Sequence, residues 1–346
     1  MHILDLTKND LEKLVLSYDE KKYRSKQIFL WLHKENKTVD DMTNISISLR
    51  DKLKSEFDTF EPQIYKKFIS KIDETRKYLI RLHDDNIIES VLMKYKYGYT
   101  ICISSQVGCN MKCAFCASTI NGAKRNLEIN ELLYQIYLIE KDAKVKISNI
   151  VIMGSGEPLH NLDNVIKFFS IINDEDGKNI SLRNITLSTC GIVENIYKLS
   201  ELDLPITLAL SLHAPNDLLR DKLMSVNKKY GIDKTLEAMA NYYNKTKRKI
   251  TIEYCLIKDI NSDIKCAKEL YELLKGNFIN NHIDFNINLI PLNNVDESNF
   301  KRPDEEIVKE FFEFLYNKHI NVTVRRELGK DINGACGQLR SKYIKE

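Results

Sequence analysis

Short apolar runs alternate with helical stretches along most of the chain, beginning near residue 100. Alternation of this kind predicts parallel βα units, and six of them fit an α/β fold built on a partial (β/α)6 barrel. The functional loops of such barrels lie at the carboxyl ends of the strands. The predicted strands cover residues 101–104, 150–153, 184–187, 206–212, 250–256 and 285–290, and the predicted helices cover 131–142, 162–172, 193–199, 234–243 and 264–274.

Two smaller segments precede the predicted barrel, and one follows it. Residues 1–60 have helical spacing and a capping-box pattern at Thr7 and Asp10, which predicts a small helical domain. Residues 61–99 alternate apolar and polar side chains, which predicts an antiparallel β-hairpin extension. Its many lysines and arginines either contact phosphates or keep an exposed strand edge from aggregating. The barrel then takes 100–295, and 296–346 add a helix, a strand and a glycine-rich loop.

The composition is that of an ordinary globular protein, with 43% hydrophobic and 29% charged residues. No apolar run is long enough to cross a membrane, and the amino terminus does not resemble a signal peptide. We therefore expect a cytoplasmic protein that does not bind membranes. The net charge of +3 gives no indication of nucleic-acid binding by itself. Eight cysteines are many for a cytoplasmic protein without structural disulfides, so some of them should take part in chemistry.

Three of these cysteines, Cys109, Cys113 and Cys116, follow directly after the first predicted strand. Spaced four and then three residues apart, they can converge from one loop onto an inorganic centre. A [4Fe–4S] cluster normally takes four cysteines, so three of them leave one iron open to an outside ligand. A structural zinc site, which wants four ligands, and a chance grouping of core cysteines are the alternatives.

Polar residues follow the later strands at the edge of the sheet where these cysteines lie. Glycines after the second strand allow close approach of a ligand, and the glutamate there would suit an ammonium group, although an ordinary turn is the default interpretation of the glycines. Taken singly, the others favour capping or core roles. Together with the cysteines they predict a ring around one mouth, formed by Gly156, Glu157, Ser188, Ser211, Leu212, His213 and Asn293.

Another cysteine, Cys336, lies between two glycines near the carboxyl terminus. A mobile, glycine-rich loop is a poor place for a core cysteine and a suitable one for a nucleophilic thiol. Cys102 precedes the first of the three clustered cysteines by seven residues, so we expect it near the same mouth.

The C-x₃-C-x₂-C spacing, with Phe115 before the last cysteine, resembles the signature of the radical S-adenosylmethionine (SAM) superfamily. The resemblance becomes nearly full length with the dual-specificity RNA adenine-C2 methyltransferase family. That family methylates C2 of one adenosine of 23S rRNA, at the peptidyl-transferase centre, and of the tRNA adenosine beside the anticodon, at position 37. The similar segments are residues 4–6, 24–29, 89–91, 104–109, 116–119, 124–127, 156–159, 187–192, 211–214, 288–291 and 335–339.

The resemblance implies a role for each candidate residue. Cys109, Cys113 and Cys116 would hold a [4Fe–4S] cluster, and the ring from Gly156 to Asn293 would bind SAM. In the implied mechanism Cys336 takes a methyl group from a first SAM. A second SAM, cleaved to a deoxyadenosyl radical, abstracts hydrogen from that S-methyl group, and the resulting radical joins C2 in a covalent protein–RNA adduct.

Release of the product is also implied by the resemblance. The thiol of Cys102 attacks Cys336 and leaves a Cys102–Cys336 disulfide, while Glu89 accepts the substrate proton. Glu89 lies in an apolar run, where burial would raise its pKa toward the working range of a base. A bridging glutamate without a catalytic role is the alternative. The expected partners are 23S rRNA, tRNA and an external electron donor such as a flavodoxin or ferredoxin system, with the protein acting as a monomer and its helical domain docking RNA.

Two other functions compete with this interpretation. One is the sister class that methylates C8 of the same rRNA adenosine and confers antibiotic resistance, although Pro158 and residues 188–191 look more like the C2 family. The other is a non-catalytic zinc or Fe–S module that binds RNA, which leaves the ring of polar residues unexplained. The candidate phosphate contacts are Lys112, Lys124, Arg125, Lys301, Arg302, Arg325 and Arg326.

Overall fold

A computed structural model describes residues 1–293, 299–334 and 337–339. Its strands are β1 (Gln63–Ile69), β2 (Arg76–Arg81), β3 (Ile87–Tyr95), β4 (Gly98–Ile103), β5 (Gln106–Gly108), β6 (Ala123–Asn126), β7 (Ile147–Ile152), β8 (Ile185–Thr189), β9 (Thr207–Ser211), β10 (Ile250–Leu256), β11 (Phe285–Pro291) and β12 (Val322–Val324). Its α-helices are α1 (Lys8–Ser17), α2 (Tyr23–Phe29), α3 (Ile47–Glu56), α4 (Ile129–Ala143), α5 (Leu162–Asn173), α6 (Val193–Ser200), α7 (Asp217–Leu223), α8 (Ile232–Thr246), α9 (Ile264–Leu274) and α10 (Glu305–Asn317).

One sheet runs through the described residues in the order β1-β2-β3-β4-β7-β8-β9-β10-β11-β12. Within this order, the seven strands β4, β7, β8, β9, β10, β11 and β12 are parallel to one another. The six predicted barrel strands correspond to β4, β7, β8, β9, β10 and β11. Helices connect these strands along the chain. The predicted α/β fold with a partial (β/α)6 barrel is therefore confirmed. β12 adds a further parallel strand beside β11, with Ile287 opposite Val322.

The predicted hairpin extension is antiparallel, as expected, and it continues the barrel sheet. β3 pairs with β4 through Val91 and Cys102, and β4 pairs with β7 through Cys102 and Val151. The predicted domain boundary between residues 99 and 100 falls inside β4, and the division into domains stays a prediction. As a consequence, β3, with Glu89, lies directly beside the strand that carries Cys102.

The amino-terminal helices pack against α4 of the barrel. Thr7 caps α1 in the predicted capping box with Asp10, and the Asp5 carboxylate accepts hydrogen bonds at 2.8 Å from the backbone N–H of Asn130 and at 3.0 Å from its side chain. The helical character predicted for residues 1–60 is confirmed. In the described part of the chain, none of the helices combines the length and the apolarity needed to cross a membrane.

Three short elements were not predicted from the sequence. β5 and β6 form a separate antiparallel pair that flanks the cysteine loop, and α7 follows β9. Each has only three to seven residues, which is too short for hydrophobic periodicity to indicate a strand or a helix. All three hold the loop that carries the clustered cysteines.

Candidate active site

A cavity of about 160 Å³ opens at the carboxyl ends of the parallel strands. The cysteines of the C-x₃-C-x₂-C motif line one side, and residues that follow β7, β8 and β9 line the other. The predicted residues that line this cavity are Cys109, Cys113, Cys116, Gly156, Glu157, Ser188, Ser211, His213 and Asn293. The structure thus places the three cysteines and most of the predicted ring around one cavity.

The cysteine loop is closed by backbone contacts at its base. The N–H of Cys109 donates to the Gly122 carbonyl at 3.2 Å, next to the β5–β6 pair. A Cβ on Gly108 would lie only 1.9 Å from the Gly122 carbonyl oxygen, so only glycine permits this approach. On the far side, the N–H of Ala114 donates to the Leu223 carbonyl at 2.9 Å, at the end of α7. The loop is therefore fixed from two sides.

Burial raises the pKa of two of the three thiols, those of Cys109 and Cys113. It raises the pKa of Cys109 to about 11, with smaller contributions from Cys116 and Glu157. The pKa of Cys113 is also raised well above its usual value, first by burial and then by the negative charges of Cys116 and Cys109. Thiolates here need a cationic centre beside them, which a metal cluster supplies. In the described residues, no group of three His, Cys, Asp or Glu side chains is arranged to hold a single metal ion.

Glu157 is buried, and both of its carboxylate oxygens are oriented by backbone N–H groups. Oε1 accepts from Leu159 at 3.0 Å, and Oε2 accepts from Cys190 at 2.8 Å. The preceding Gly156 has φ +109°, and a Cβ there would lie 2.7 Å from the backbone nitrogen of Gln106. Each carboxylate oxygen has a second lone pair, so the fixed carboxylate can also accept from a ligand ammonium group.

The ends of β8, β9 and β10 form a hydrogen-bonded rim. The Oγ atoms of Ser188 and Ser211 lie 3.3 Å apart. His213 Nδ1 accepts from the backbone N–H of Cys255 at 2.9 Å, which places the ring proton on Nε2. Burial, assisted by the charge of Arg220, lowers the pKa of His213 to about 3, so the ring is neutral. The ring also packs edge-on against Phe115 of the cysteine loop at 5.0 Å.

Leu212 is the exception in the predicted ring. Its side chain is fully buried and does not line the cavity. Its N–H donates to the Glu253 carbonyl at 3.1 Å, and its carbonyl accepts from Arg220 Nε at 3.1 Å. Because side chains alternate along a strand, Leu212 faces away from the side on which Ser211 and His213 lie.

A second, smaller cavity adjoins the first and contains Cys102. The two cavities share Met153, Ile290, Asn293 and Arg325. Cys102 packs with Val91, Met93, Leu328 and Leu339. Gly334 and Leu339 line the Cys102 cavity, and Gly337 lines the first. Cys336 itself lies outside the described residues, but described neighbours on both sides of it in the sequence border these two cavities.

Comparison with known proteins agrees with this geometry. Residues 103–274 match the model of the radical SAM superfamily, and residues 1–58 match that of the ribosomal RNA large subunit methyltransferase N-terminal domain. A probable dual-specificity RNA methyltransferase RlmN of Alkaliphilus oremlandii is 52% identical over 342 residues, which cover 99% of this chain and 98% of that protein. The chain belongs to the RlmN family. Its resemblance to that family, predicted from the motifs, is confirmed, and the protein is a radical SAM RNA methyltransferase.

Two further relatives support this assignment. A probable RlmN protein of Clostridium novyi is 48% identical over 345 residues, which cover 99% of this chain and 99% of that protein. A crystal structure of a radical SAM methyltransferase from Sphaerobacter thermophilus has a TM-score of 0.92 at 36% identity, covering 99% of this chain and all of that one. Membership of the radical SAM superfamily implies a [4Fe–4S] cluster and SAM. Three thiols that line one cavity beside the fixed carboxylate of Glu157 form a donor set that fits both.

Arg220, on α7, is a site residue that the sequence did not reveal. It is fully buried and donates to the carbonyls of Cys190, Leu212 and Ser211 at 2.7, 3.1 and 3.3 Å. Burial lowers the pKa of Arg220, against the raising effect of Cys190 and Cys113. Its guanidinium therefore ties the ends of β8 and β9 together beneath the cavity of this RlmN-family protein. Because α7 is too short to be predicted, no pattern in the sequence around Arg220 indicates that its side chain is buried.

Glu253, on β10, is a second residue that was missed. It lines the cavity, and its Oε1 accepts from Asn288 Nδ2 at 2.9 Å. Arg325 Nη1 lies 3.6 Å from its Oε2. A signal was present, since Glu253 is the one charged residue in the buried strand Ile250–Leu256.

Glu89, the residue predicted to accept the substrate proton, lies on the strand next to the one that carries Cys102, but it lines neither of the two cavities. It is buried on β3, with its Oε1 3.1 Å from Lys77 Nζ. It lines a separate small cavity together with Gln106, Ser118 and Ser155. The structure thus brings Glu89 to the neighbourhood of the predicted site without bringing it to the cysteines.

Four of the seven candidate phosphate contacts have distinct surroundings in the structure. Arg302, Arg325 and Arg326 line the Cys102 cavity. Arg125 instead pairs with both oxygens of Glu131 at 2.7 Å and with Asp84 at 2.7 Å. These ion pairs hold β6 to α4, which gives Arg125 a structural role in the described arrangement.

Proposed function

We propose that this protein methylates C2 of an adenosine in 23S rRNA, at the peptidyl-transferase centre, and of adenosine 37 in tRNA. The single observation that supports this most strongly is the junction of two cavities. One is lined by Cys109, Cys113, Cys116 and Glu157, and the other by Cys102 and by residues that flank Cys336 in the sequence.

The larger cavity is assigned to the cofactors. Cys109, Cys113 and Cys116 are the proposed cluster ligands. The proposed SAM contacts are Gly156, Glu157, Ser188, Ser211, Leu212, His213 and Asn293. A cluster with SAM bound there supplies the radical chemistry that an unreactive C–H group such as C2 requires. The Glu157 carboxylate accepts hydrogen bonds from the ligand's ammonium group.

The smaller cavity is assigned to methyl transfer. Cys336 carries the methyl carbon as a thioether and forms the covalent adduct with C2 of the base. The C2 hydrogen leaves as a proton, for which Glu89 is the candidate acceptor. Attack of the Cys102 thiol on the Cys336 sulfur forms the S–S bond as the S–C bond to the product breaks, and the released methylene carbon takes up a proton to become the methyl group. Because Cys336 lies outside the described residues, this disulfide stays a prediction.

Product analysis tests the proposal. Protein reconstituted with iron and sulfide is incubated anaerobically with SAM, a reductant and a 23S rRNA fragment, and the RNA is then digested to nucleosides. We expect 2-methyladenosine, and none from Cys336→Ala. Formation of 8-methyladenosine would assign the protein to the C8 class, and purified protein that carries zinc without iron would indicate the non-catalytic RNA-binding module.

Several points remain predictions of the sequence. They are the consumption of two SAM molecules per turnover, the flavodoxin or ferredoxin electron donor, the monomeric state, the cytoplasmic location, and RNA docking by residues 1–60. A tRNA anticodon stem-loop tested in parallel with the rRNA fragment measures the dual specificity.

A further inference from the structure

Two stacked tyrosines lie at the β3–β4 turn, beside the Cys102 cavity. Tyr95 and Tyr97 have ring centroids 5.0 Å apart and an interplanar angle of 6°. Tyr95 ends β3 and lines the cavity. Tyr97 lies at the tip of the turn with 66% of its surface exposed. The inner ring therefore borders the proposed methyl-transfer site, while the outer ring faces solvent.

The stacking of Tyr95 on Tyr97 does not follow from helical spacing. Phe312 and Tyr316 on α10 are stacked as well, with centroids 5.7 Å apart at 16°, but a spacing of four residues on a helix brings such rings together by itself. Tyr95 and Tyr97 are two residues apart around a hairpin turn, where Tyr95 pairs with Gly98. The turn holds a large exposed aromatic ring beside a cavity, where a polar turn residue would be ordinary.

The surroundings of the stack are cationic. Arg302, Arg325 and Arg326 line the same cavity as Tyr95, and Arg326 and Lys96 are exposed. Arg302 pairs with Glu327 at 3.1 Å and Arg325 lies 3.6 Å from Glu253, so Arg326 and Lys96 are the better placed to contact phosphates. An exposed aromatic face with adjacent positive charge is the usual arrangement for binding single-stranded RNA.

The proposed reaction at C2 of an adenine in folded RNA would require such a surface. A base in folded RNA must leave its stack to enter a buried site, and its neighbour then loses a stacking partner. We propose that Tyr97, supported by Tyr95, stacks on the base of the nucleotide next to the target adenosine, and that Arg326 contacts the adjoining phosphate. This inference rests on the proposed function and adds the surface that holds the RNA open.

Binding of the 23S rRNA fragment to the reconstituted full-length protein tests it, with fluorescence anisotropy as the readout. We expect Tyr97→Ala to bind about tenfold more weakly, as for the loss of one base–aromatic stack. Tyr97→Phe keeps the ring and should bind within about twofold of the wild type, by the same argument. Tyr316→Ala is the matched control, since Tyr316 is 62% exposed in a stacked pair away from the cavities, and it should leave binding unchanged.

Salt dependence separates stacking from charge. Arg326→Gln should lower the slope of log K against log salt by about 0.7 to 0.9, and Tyr97→Ala should leave that slope unchanged. The inference is overturned if Tyr97→Ala binds the fragment as tightly as the wild type, or if Tyr316→Ala weakens binding as much as Tyr97→Ala does. In either case, methylation of the fragment by the wild type leaves the proposed function standing. Failure of the wild type to methylate the fragment overturns the proposed function instead.

Discussion

Lys77 Nζ lies 3.1 Å from Glu89 Oε1 and 3.1 Å from the backbone carbonyl oxygen of Asn333. Lys77 and Glu89 are only 6% and 2% exposed. One buried ammonium group thus joins the predicted proton acceptor to the segment that leads, three residues later, to Cys336. The neighbouring β1–β2 turn holds the same segment, since the Asp73 carboxylate accepts from the N–H of Gly329 at 2.8 Å.

Removing this ammonium group should affect both stability and turnover. We expect Lys77→Met to lower the free energy of unfolding by about 3 kcal/mol, because the Glu89 carboxylate is left buried without its counter-charge. Urea unfolding measures this change. The double variant Lys77→Met/Glu89→Leu should regain most of the lost stability yet form no 2-methyladenosine. Full activity of the double variant would show that neither residue is needed for the chemistry.

The second prediction concerns Glu157 and cofactor affinity. Glu157→Gln puts an amide NH₂ opposite a backbone N–H and removes the negative charge, so binding of S-adenosylhomocysteine should weaken by about 2 kcal/mol. Isothermal titration calorimetry on protein of matched iron content measures the affinity. Glu140→Gln is the control, because Glu140 pairs with Lys178 away from the cavity. Unchanged affinity in Glu157→Gln would remove Glu157 from the proposed SAM contacts.

The third prediction concerns the buried guanidinium. Arg220→Met removes the donors to three carbonyls at the ends of β8 and β9 and should cost about 3 kcal/mol of stability or more. Urea unfolding of the cluster-free protein measures this loss without a contribution from cofactor binding. Arg183→Met, at an exposed position, should change stability by less than about 0.5 kcal/mol. Equal effects of the two variants would contradict the structural role of Arg220.

The fourth prediction concerns pH. Burial, with smaller effects of Lys178 and His2, lowers the pKa of His33 to about 3, below its unfolded value of 6.5. The unfolded chain therefore binds a proton that the folded protein does not bind, and stability falls as the pH drops below 6.5. At pH 5.0 this contribution is about 2 kcal/mol.

The variant His33→Gln tests this linkage, since its amide can still bond to the Tyr137 hydroxyl, which lies 2.9 Å from His33 Nδ1. The loss of stability between pH 7.0 and 5.0, measured by urea unfolding, should be smaller in the variant by about 2 kcal/mol. An identical loss in both proteins would show that His33 is protonated in the folded state.

The strands, most helices and the ring of polar residues follow from patterns that the sequence displays directly. Apolar runs mark buried strands, and the carboxyl end of a parallel strand marks where Ser188, Ser211 and Glu157 must lie. The periodicity of apolar residues shows which face of a helix or strand is buried, but it does not show which other element packs against that face. The pairing of β3 with β4 and the burial of Arg220 under the cavity depend on long-range packing, which no local pattern records. The side chain of Leu212 does not line the cavity, because alternation turns it away from the face that Ser211 and His213 share.

The closure of the cysteine loop bears on the maintenance of the enzyme. Gly108 and Gly122 join the base of the loop through protein contacts alone, and α7 holds its far side. These contacts are made by backbone atoms and not by the cysteine thiols, so we expect the loop to keep its shape without iron, unlike a zinc finger, which unfolds when its metal leaves. Oxidative loss of the cluster should therefore leave a folded apoprotein. Iron and sulfide should rebuild the cluster in this apoprotein without a refolding step.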